Sequence, residues 1–356
     1  MPRERPSAAR PFPSSCVLLA RPSTASLFLL SCFLQPLLPA AIYVPPAKYL
    51  IISNARNGSI GYVKVPDTGN FSEPRLLIAT GLGHPQGIAV DQKRQLLVVA
   101  DSALRKVVSY GLSIDRDGNL QVDEQTPVAD DVESRWVAVD GPGNVYFSDE
   151  LGNRLLRVSA RQVLDGDSAS AEAVFPAGSS VAGSVSAPGG VAADNFYVYW
   201  ANKLNGGSAG TIVRSLDAGP NASAEESARQ AASALATNLP KAYGVCLAID
   251  NVFYTAPERD IYAVKTGGGE ATVITDSLTS PRGCTWDGDS TVYVADRSAH
   301  GVFAFPAPMV SLAQVDARKV VDFQDAFGVA VFSSGAGRWP SLLLWLLLPA
   351  LAALLP

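Results

Sequence analysis

Acidic side chains recur at two fixed places along the chain, once in each of several similar segments. One set ends an apolar run and comprises Asp101, Asp149, Asp296 and, as an amide, Asn202. The other set ends the apolar run before it and comprises Asp91, Asp140, Asp194 and Asp287. Carboxylates could hold a divalent cation, but one acid per segment places these groups apart rather than in one cluster. We therefore expect the acids to cap turns within their own segments.

Cations and aromatic rings occupy another recurrent place, just before the residue that opens each segment. The residues there are Gln86, Arg135, Gly189, Tyr243, Arg282 and Phe327, and Trp136 follows Arg135. A guanidinium group pairs well with a carboxylate or a sulfate, and Tyr243 or Trp136 could stack on a sugar or a peptide. The set contains no carboxylate, which disfavours a divalent metal at this place. The alternative is that both arginines pair with acids nearby.

The sequence contains no pattern that assembles a catalytic centre. Its two histidines, His84 and His300, are fewer than the roughly three ligands of a zinc site. No Gly-x-Ser-x-Gly element, phosphate-binding loop or dinucleotide fingerprint stands between a strand and a helix. We therefore predict no catalytic residue, no metal and no cofactor, and we favour a binding protein over an enzyme. The net charge of −5, without a basic face, argues against nucleic acid as a partner.

The candidate ligand-binding residues are therefore the polar and aromatic members of the recurrent set: Gln86, Arg135, Trp136, Tyr243 and Arg282.

Two of the four cysteines, Cys246 and Cys284, lie in the body of the chain and could form one disulfide. Each follows the glycine that opens its segment, Cys246 by two residues and Cys284 by one. Their side chains should therefore point to opposite faces of their strands. Opposite faces of adjacent sheets meet, so a disulfide between neighbouring segments is one interpretation. The other is that both are small buried core residues.

A repeated unit of three strands, followed by a fourth, must position these side chains. Its first copy reads Gly87–Asp91, Leu96–Asp101 and Lys106–Tyr110. Further copies open at residues 136, 190, 244 and 283, about 40 to 54 residues apart, which is the length of a four-stranded propeller blade. The strands are apolar almost throughout, as expected where neighbouring sheets cover both faces. The glycine that opens most copies suits a close approach of backbones near a central axis.

A sixth copy is divided between the two ends of the chain. Phe327–Phe332 is a first strand with no second strand after it, and Tyr49–Asn54, Ile60–Val65 and Arg75–Ile78 supply the other three. Joining the ends completes a blade and closes the ring, which leaves no exposed sheet edge. The sequence thus predicts an all-β, six-bladed β-propeller over residues 42–334, with four antiparallel strands per blade. It also predicts one short surface helix within Ala222–Thr237.

The repeats resemble two known propeller families. His84–Asp91 with Val99–Asp101 is similar to an NHL repeat, and Tyr199–Asn202 followed by Ile212–Asp217 is similar to a YWTD repeat of the LDL-receptor class B type. The resemblance covers about residues 48–332 and implies the six-bladed fold. It is less specific for function, because these families include adhesion modules, receptors and a few enzymes.

The first 41 residues have the features of a signal peptide that is removed from the mature protein. Arg3, Arg5, Arg10 and Arg21 precede the apolar run Leu27–Leu38, and small residues follow it. The run is shorter than the roughly 20 residues that a membrane span needs. The alternatives are an uncleaved anchor helix, a later start codon or a targeting segment of another kind.

Residues 335–356 have the features of a glycosylphosphatidylinositol (GPI) attachment signal. The small residues Ser333, Ser334 and Gly335 are candidate attachment sites, a short spacer follows, and Leu342–Pro356 is apolar. The rival interpretation is a C-terminal transmembrane anchor, although the tail is short for a span and has no basic residues after it. Both interpretations place the end of the protein at a membrane.

Three sequons, at Asn57, Asn70 and Asn221, agree with passage through the secretory pathway. Together these features predict a GPI-anchored glycoprotein on the outer face of the plasma membrane. Its propeller would bind an extracellular protein or glycan through the rim of the channel. The alternative function is a metal-dependent propeller hydrolase, lactonase or lyase in the secretory pathway, which would need several carboxylate or amide oxygens at the axis.

Overall fold

The computed structural model describes residues 46–166, 171–175, 185–205, 209–216, 232–257, 259–307 and 311–335. Within these residues the chain forms six antiparallel sheets and one short helix. The sheets are the blades of a six-bladed β-propeller, as the repeats predict.

Blades 1 to 3 contain the following strands. Blade 1 consists of β1 (Lys48–Asn54), β2 (Ser59–Lys64), β3 (Arg75–Ile78) and the last strand, β25 (Ala326–Ser333). Blade 2 consists of β4 (Pro85–Asp91), β5 (Leu96–Asp101), β6 (Lys106–Ile114), β7 (Leu120–Val122) and β8 (Thr126–Asp130). Blade 3 consists of β9 (Ser134–Val139), β10 (Val145–Asp149), β11 (Arg154–Val158) and β12 (Glu172–Phe175), with helix α1 (Ala160–Asp165) before β12.

Blades 4 to 6 follow the same order. Blade 4 consists of β13 (Pro188–Ala193), β14 (Tyr197–Asn205), β15 (Ala209–Leu216) and β16 (Ser233–Leu239). Blade 5 consists of β17 (Val245–Ala248), β18 (Asn251–Thr255), β19 (Ile261–Lys265) and β20 (Thr272–Thr275). Blade 6 consists of β21 (Pro281–Trp286), β22 (Thr291–Asp296), β23 (Gly301–Pro306) and β24 (Arg318–Asp322).

One strand of each blade, the inner strand, borders the central channel: β25, β4, β9, β13, β17 and β21. We call the end of the channel where the inner strands begin the upper face, and the opposite end the lower face. Blade 2 departs from the four-strand pattern, because β8 takes the fourth place beside β6 while β7 pairs with the far end of β6.

Blade 1 closes the ring by pairing the two ends of the chain. β1 lies antiparallel to β25, with Leu50 opposite Val331 and Ile52 opposite Val329. All four side chains are buried. The predicted split blade is confirmed, and it removes the sheet edge that an open ring would expose.

Apolar layers between neighbouring blades form the core. Val98 and Val107 of blade 2, for example, pack in one cluster with Val137 and Phe147 of blade 3. The central strands carry apolar residues on both faces because each face meets a neighbouring sheet.

The glycines that open the inner strands allow their backbones to approach closely. A Cβ atom on Gly87 would lie 2.7 Å from the Cα atom of Trp136, and one on Gly283 would lie 2.9 Å from the carbonyl oxygen of Phe327. Both distances are too short for an ordinary contact, so the position requires glycine wherever the next inner strand lies this close.

The predicted surface helix is wrong where it can be compared with the structure. Ser233–Leu239 is strand β16, which pairs with β15, because pairing within the blade outweighs the helical propensity of an Ala-rich segment. Residues 222–231 of that prediction lie outside the described residues.

The predicted signal peptide and all of the C-terminal signal after Gly335 also lie outside the described residues. Within the described part of the chain, no helix has the length and hydrophobicity that a membrane crossing requires.

Candidate functional site

The acids that end the second strands hold the loops of the upper face. Asp101 accepts hydrogen bonds from the main-chain N–H groups of His84, at 2.9 Å, and Leu104, at 3.1 Å. It thereby joins the loop that enters blade 2 to the turn between β5 and β6. Asp296 accepts equivalent bonds in blade 6. These carboxylates are therefore occupied within their own blades, which confirms the prediction that they cap turns.

The remaining recurrent acids do the same. Asp149 accepts a hydrogen bond from the N–H of Gly152, and the amide oxygen of Asn202 accepts one from the N–H of Ser186. At the lower face, the acids that end the first strands each accept main-chain N–H groups of the following turn: Asp91, Asp140, Asp194 and Asp287. No group of three or more His, Cys, Asp or Glu side chains that could hold a metal is found among the described residues.

Trp136 and Phe327 form an aromatic contact near the upper end of the channel, and we call this contact the plug. Their ring centroids lie 5.4 Å apart, and each side chain is only 6% exposed. Trp136 belongs to blade 3 and Phe327 to blade 1, which are not neighbours, so the rings meet in front of the inner strand of blade 2. The faces of the Trp136 ring are thus covered by protein rather than offered to a ligand.

Arg135 lies above this plug and is paired with acids. Its guanidinium donates to Glu133 at 2.9 Å and lies 3.7 Å from a carboxylate oxygen of Glu150. Glu150 also accepts a hydrogen bond from Lys203, which comes from the next blade. Burial lowers the pKa of Lys203, and the Glu150 carboxylate acts in the opposite direction. The sequence left open whether Arg135 is available to a ligand or pairs with nearby acids. The structure shows that it pairs with nearby acids.

Arg282 differs from Arg135 in its surroundings. Its guanidinium lies 4.9 Å from the ring centroid of Tyr243, in the geometry of a cation–π contact, and donates to the carbonyl oxygen of Pro281 at 2.9 Å. No carboxylate of the described residues lies within ion-pair distance of it. Burial lowers the pKa of Arg282, although an arginine stays protonated at neutral pH. Among the described residues, it is therefore a half-buried cation whose charge no neighbouring acid neutralises directly.

Tyr243 connects the two cationic groups of the rim. Besides the contact with Arg282, its ring lies 5.7 Å from the ammonium group of Lys203. The ring packs at the edge of the apolar cluster that contains Trp136 and Phe327, and it remains partly exposed. We call Arg282, Tyr243 and Lys203 the cationic rim.

Gln86 faces the channel from blade 2 and is buried, with 5% of its surface exposed. Its side-chain oxygen has no hydrogen-bond partner among the described residues, while its main-chain oxygen accepts a bond from the hydroxyl of Ser53 at 2.6 Å. The structure thus brings Gln86, Arg135, Tyr243 and Arg282 to one end of the channel, as the sequence predicts for the rim.

The sequence-based candidate set lacks Glu133, Glu150 and Lys203. The last two share a recognisable place, because each directly follows a recurrent turn-capping residue, Asp149 or Asn202. Those residues end the second strands at the upper face. The residues that directly follow them therefore form a second ring of side chains around the same mouth of the channel. That position is the signal that would have found both residues.

Cys246 and Cys284 are joined by a disulfide that links the inner strands of blades 5 and 6. This is the first of the two interpretations of the sequence, in which the two side chains point to opposite faces of their strands and meet between adjacent blades.

Two of the three predicted glycosylation sites, Asn57 and Asn70, are exposed, and Asn221 lies outside the described residues. At the C-terminal end, Ser333 pairs with Lys48 at the end of β25, and the N–H of Ser334 donates to the carbonyl oxygen of Ala47. Ser333 and Gly335 lie at the lower mouth of the channel.

Comparisons with known proteins agree with the fold. No family model matches the sequence, and no curated protein matches it. A chain from a crystal structure of a nidogen/laminin complex superposes with a TM-score of 0.59 at 16% identity, covering 80% of this chain and 98% of that chain. This likeness supports the six-bladed fold.

Two enzymes are also among the similar structures. A gluconolactonase from Xanthomonas campestris has 15% identity and a TM-score of 0.49, covering 81% of this chain and 88% of its own. Virginiamycin B lyase from Staphylococcus aureus has 15% identity and a TM-score of 0.43, covering 66% and 69%.

Proposed function

We propose that the protein is a cell-surface binding propeller that holds an anionic group of an extracellular protein or glycan against its cationic rim. The observation that carries the proposal is Arg282, a half-buried guanidinium stacked on Tyr243 without a carboxylate within ion-pair distance among the described residues. A carboxylate or sulfate placed there would make charge-assisted hydrogen bonds with it. Lys203 supplies a second positive charge beside the same ring.

The distribution of charge distinguishes Arg282 from the other cations of the mouth. Arg135 is paired with Glu133 and Glu150, and Lys203 shares Glu150. A ligand that paired with Arg135 would have to displace an acid that is already bound there, whereas one that paired with Arg282 would displace no acid of the described residues. We therefore place the ligand's anionic group at Arg282, with Tyr243 as the surface on which a sugar or a peptide side chain packs.

A protein partner and a glycan partner share this chemistry. The similar chain from the nidogen/laminin complex provides a precedent for a propeller of this shape in a protein complex. Sulfated or carboxylated glycans would use the same guanidinium, with their rings against Tyr243.

The test compares binding of the purified protein to sulfated glycans and to acidic peptides, each displayed on an array. We expect binding to at least one of these sets, and we expect it to weaken as salt rises because the pairing is electrostatic. Arg282→Ala should weaken binding roughly 10- to 100-fold, since a hydrogen bond to a charged group is worth about 1.5–3 kcal/mol.

A matched control is Arg161→Ala, which removes an arginine whose side chain is 91% exposed on α1 and lies 3.6 Å from a carboxylate oxygen of Asp165. Binding by this variant should equal that of the unmodified protein. Equal affinity of Arg282→Ala and the unmodified protein would refute the assignment of the site. Stoichiometric calcium or zinc in the purified protein would instead point to the metal-dependent enzyme class.

The membrane attachment is part of the same proposal. The candidate residues Ser333, Ser334 and Gly335 leave the fold at the lower face, so an anchor attached there would direct the cationic rim away from the membrane. A phospholipase specific for phosphatidylinositol should release the protein from intact cells. Retention after this treatment would favour a transmembrane anchor.

Secretion itself is tested by glycosylation. Asn57 and Asn70 are exposed in sequons on the body of the propeller. Removal of N-linked glycans from the cell-derived protein should lower its mass, and Asn57→Gln and Asn70→Gln should each remove one glycan.

A further inference from the structure

The lower part of the channel is a separate cavity that the cationic rim does not include. Its volume is about 550 Å³, and the inner strands of all six blades line it. The middle residue of each inner strand is small: Ala89, Ala138, Ala192, Cys246, Thr285 and Ala330. These small side chains leave open space at the axis where larger ones would fill it.

The Trp136–Phe327 contact lies on the upper side of the cavity. Five of the six inner strands have glycine at the level just above it, but blade 3 has Trp136 there. The indole meets Phe327 in front of the inner strand of blade 2. The two rings thus lie above the cavity, whose lining reaches Gly288, Ser333 and Gly335 at the lower face.

The cavity walls carry almost no charge. Asp287 is the one ionisable residue among the described residues that line it. Its carboxylate pairs with Lys48 at 3.2 Å and accepts main-chain N–H groups of Asp289 and Thr291. A charged ligand would therefore lose its hydration without gaining a free counter-charge, which is unfavourable.

The walls nevertheless offer hydrogen bonds. Each inner strand pairs with one neighbour only, so its other edge faces the axis with main-chain N–H and C=O groups unpaired by the sheet. Between these edges stand apolar side chains such as Val137, Val191 and Leu247. Apolar surface with a few main-chain polar groups, in a cavity of 300–1,000 Å³, is typical of sites for small molecules.

We propose that this cavity binds a neutral small organic molecule with apolar faces and one or a few hydrogen-bonding groups. The site is separate from the cationic rim, because its lining residues include none of Arg282, Tyr243 and Lys203.

The probe that tests this proposal is N-phenyl-1-naphthylamine, a neutral fluorescent aromatic amine. Titrated into the full-length protein, it should bind saturably with 1:1 stoichiometry and with a rise in its fluorescence. Absence of saturable binding would overturn the proposal.

Two variants locate the probe. Thr285 lines the cavity and is partly exposed to it, so Thr285→Phe should fill the space and weaken binding at least about tenfold, whereas the matched control Thr285→Ser should leave it unchanged. Ala89→Leu fills the cavity from blade 2 and provides the same test if Thr285→Phe does not fold. Circular dichroism melting establishes that each variant is folded. Unchanged binding by a folded cavity-filling variant would overturn the proposal.

A second comparison tests the neutrality of the ligand. 1-Anilinonaphthalene-8-sulfonate has the same ring system with an added sulfonate, and it should bind at least about tenfold more weakly than the neutral probe. This comparison uses Arg282→Ala, so that the cation to which the proposed function assigns the anionic group is absent. Equal binding of the two dyes would contradict a neutral site. Arg282→Ala should not change binding of the neutral probe, so failure of this proposal and failure of the proposed function are distinguishable.

Discussion

The ring of Trp136 in blade 3 lies 5.4 Å, centroid to centroid, from the ring of Phe327 in blade 1, although blade 2 stands between these blades. The contact joins an internal blade to the strand that closes the ring. It also occupies a level of the channel where the other five inner strands have glycine. The plug is therefore a stabilising contact between blades 1 and 3.

Trp136→Ala tests the contribution of the plug to stability. Removing a buried aromatic side chain typically lowers the free energy of unfolding by about 3–5 kcal/mol, because the apolar contacts are lost and a cavity remains. Urea denaturation followed by circular dichroism measures the change. Phe196→Ala is the control, since Phe196 is 68% exposed and its loss should stay within about 0.5 kcal/mol. A loss for Trp136→Ala as small as that of the control would show that the plug stabilises nothing.

The closure of blade 1 predicts that β25 is indispensable for folding. A chain that ends after Asp325 lacks β25 and exposes the edge of β1. This edge includes Leu50 and Ile52, which are buried in the complete fold. We expect it to lose the cooperative unfolding transition and to aggregate. A chain that ends after Gly335 keeps β25 and should unfold cooperatively. A cooperative transition in the shorter chain would contradict the closed ring.

The sequence predicted the ring because its signals are local and repeated. The alternation of apolar strands, the acids Asp101 and Asp296 and the divided sixth copy each identify a blade or its turns without knowledge of distant contacts. The structure confirms the strand order and the turn-capping role of these acids. Residues 222–231 and both termini remain predictions.

The repeat pattern does not predict which side chains contact one another at the rim. Glu150 lies in a turn of blade 3, yet it contacts both Arg135 of its own blade and Lys203 of blade 4. This arrangement pairs Arg135 with an acid. Because Arg135 and Arg282 are the same residue type, the sequence alone does not tell which of them is paired. The sequence does contain a sign of the plug, because Trp136 stands where the other five inner strands have glycine. Only the structure shows that its partner is Phe327.

The disulfide predicts a measurable stabilisation. Cys246 and Cys284 are 38 residues apart, and closing a loop of that length stabilises a protein by about 4 kcal/mol in the chain-entropy model. The double variant Cys246→Ala, Cys284→Ala should lose about this much unfolding free energy in urea. Adding reductant should destabilise the unmodified protein and leave the double variant unchanged. Mass mapping of a non-reduced digest should recover the two cysteine peptides as one linked species, and free thiols at both positions would refute the bond.

The buried tyrosines predict a loss of stability at alkaline pH. Burial raises the pKa of Tyr293 to about 12 and raises the pKa of Tyr254 further, whereas an unfolded tyrosine ionises near pH 10. Folding therefore favours the protonated phenol. The resulting stabilisation is fully present below about pH 10 and is lost as the pH rises through the folded pKa values, by about 1.4 kcal/mol per pH unit for each such group.

Tyr254 and Tyr199 form a matched pair for testing this prediction. The hydroxyl of Tyr254 is buried without a hydrogen-bond partner among the described residues, while that of Tyr199 donates to Asp194 at 2.9 Å. Tyr254→Phe should therefore leave the unfolding free energy at pH 7 unchanged or raise it by about 1 kcal/mol, and it should make the loss above pH 10 less steep. Tyr199→Phe should lower the value at pH 7 by about 1.5 kcal/mol, because a bond to a carboxylate is lost. Urea titrations between pH 7 and about pH 11 measure both effects. If Tyr254→Phe destabilised the protein at pH 7 as much as Tyr199→Phe, the Tyr254 hydroxyl would have to be hydrogen-bonded in the folded protein.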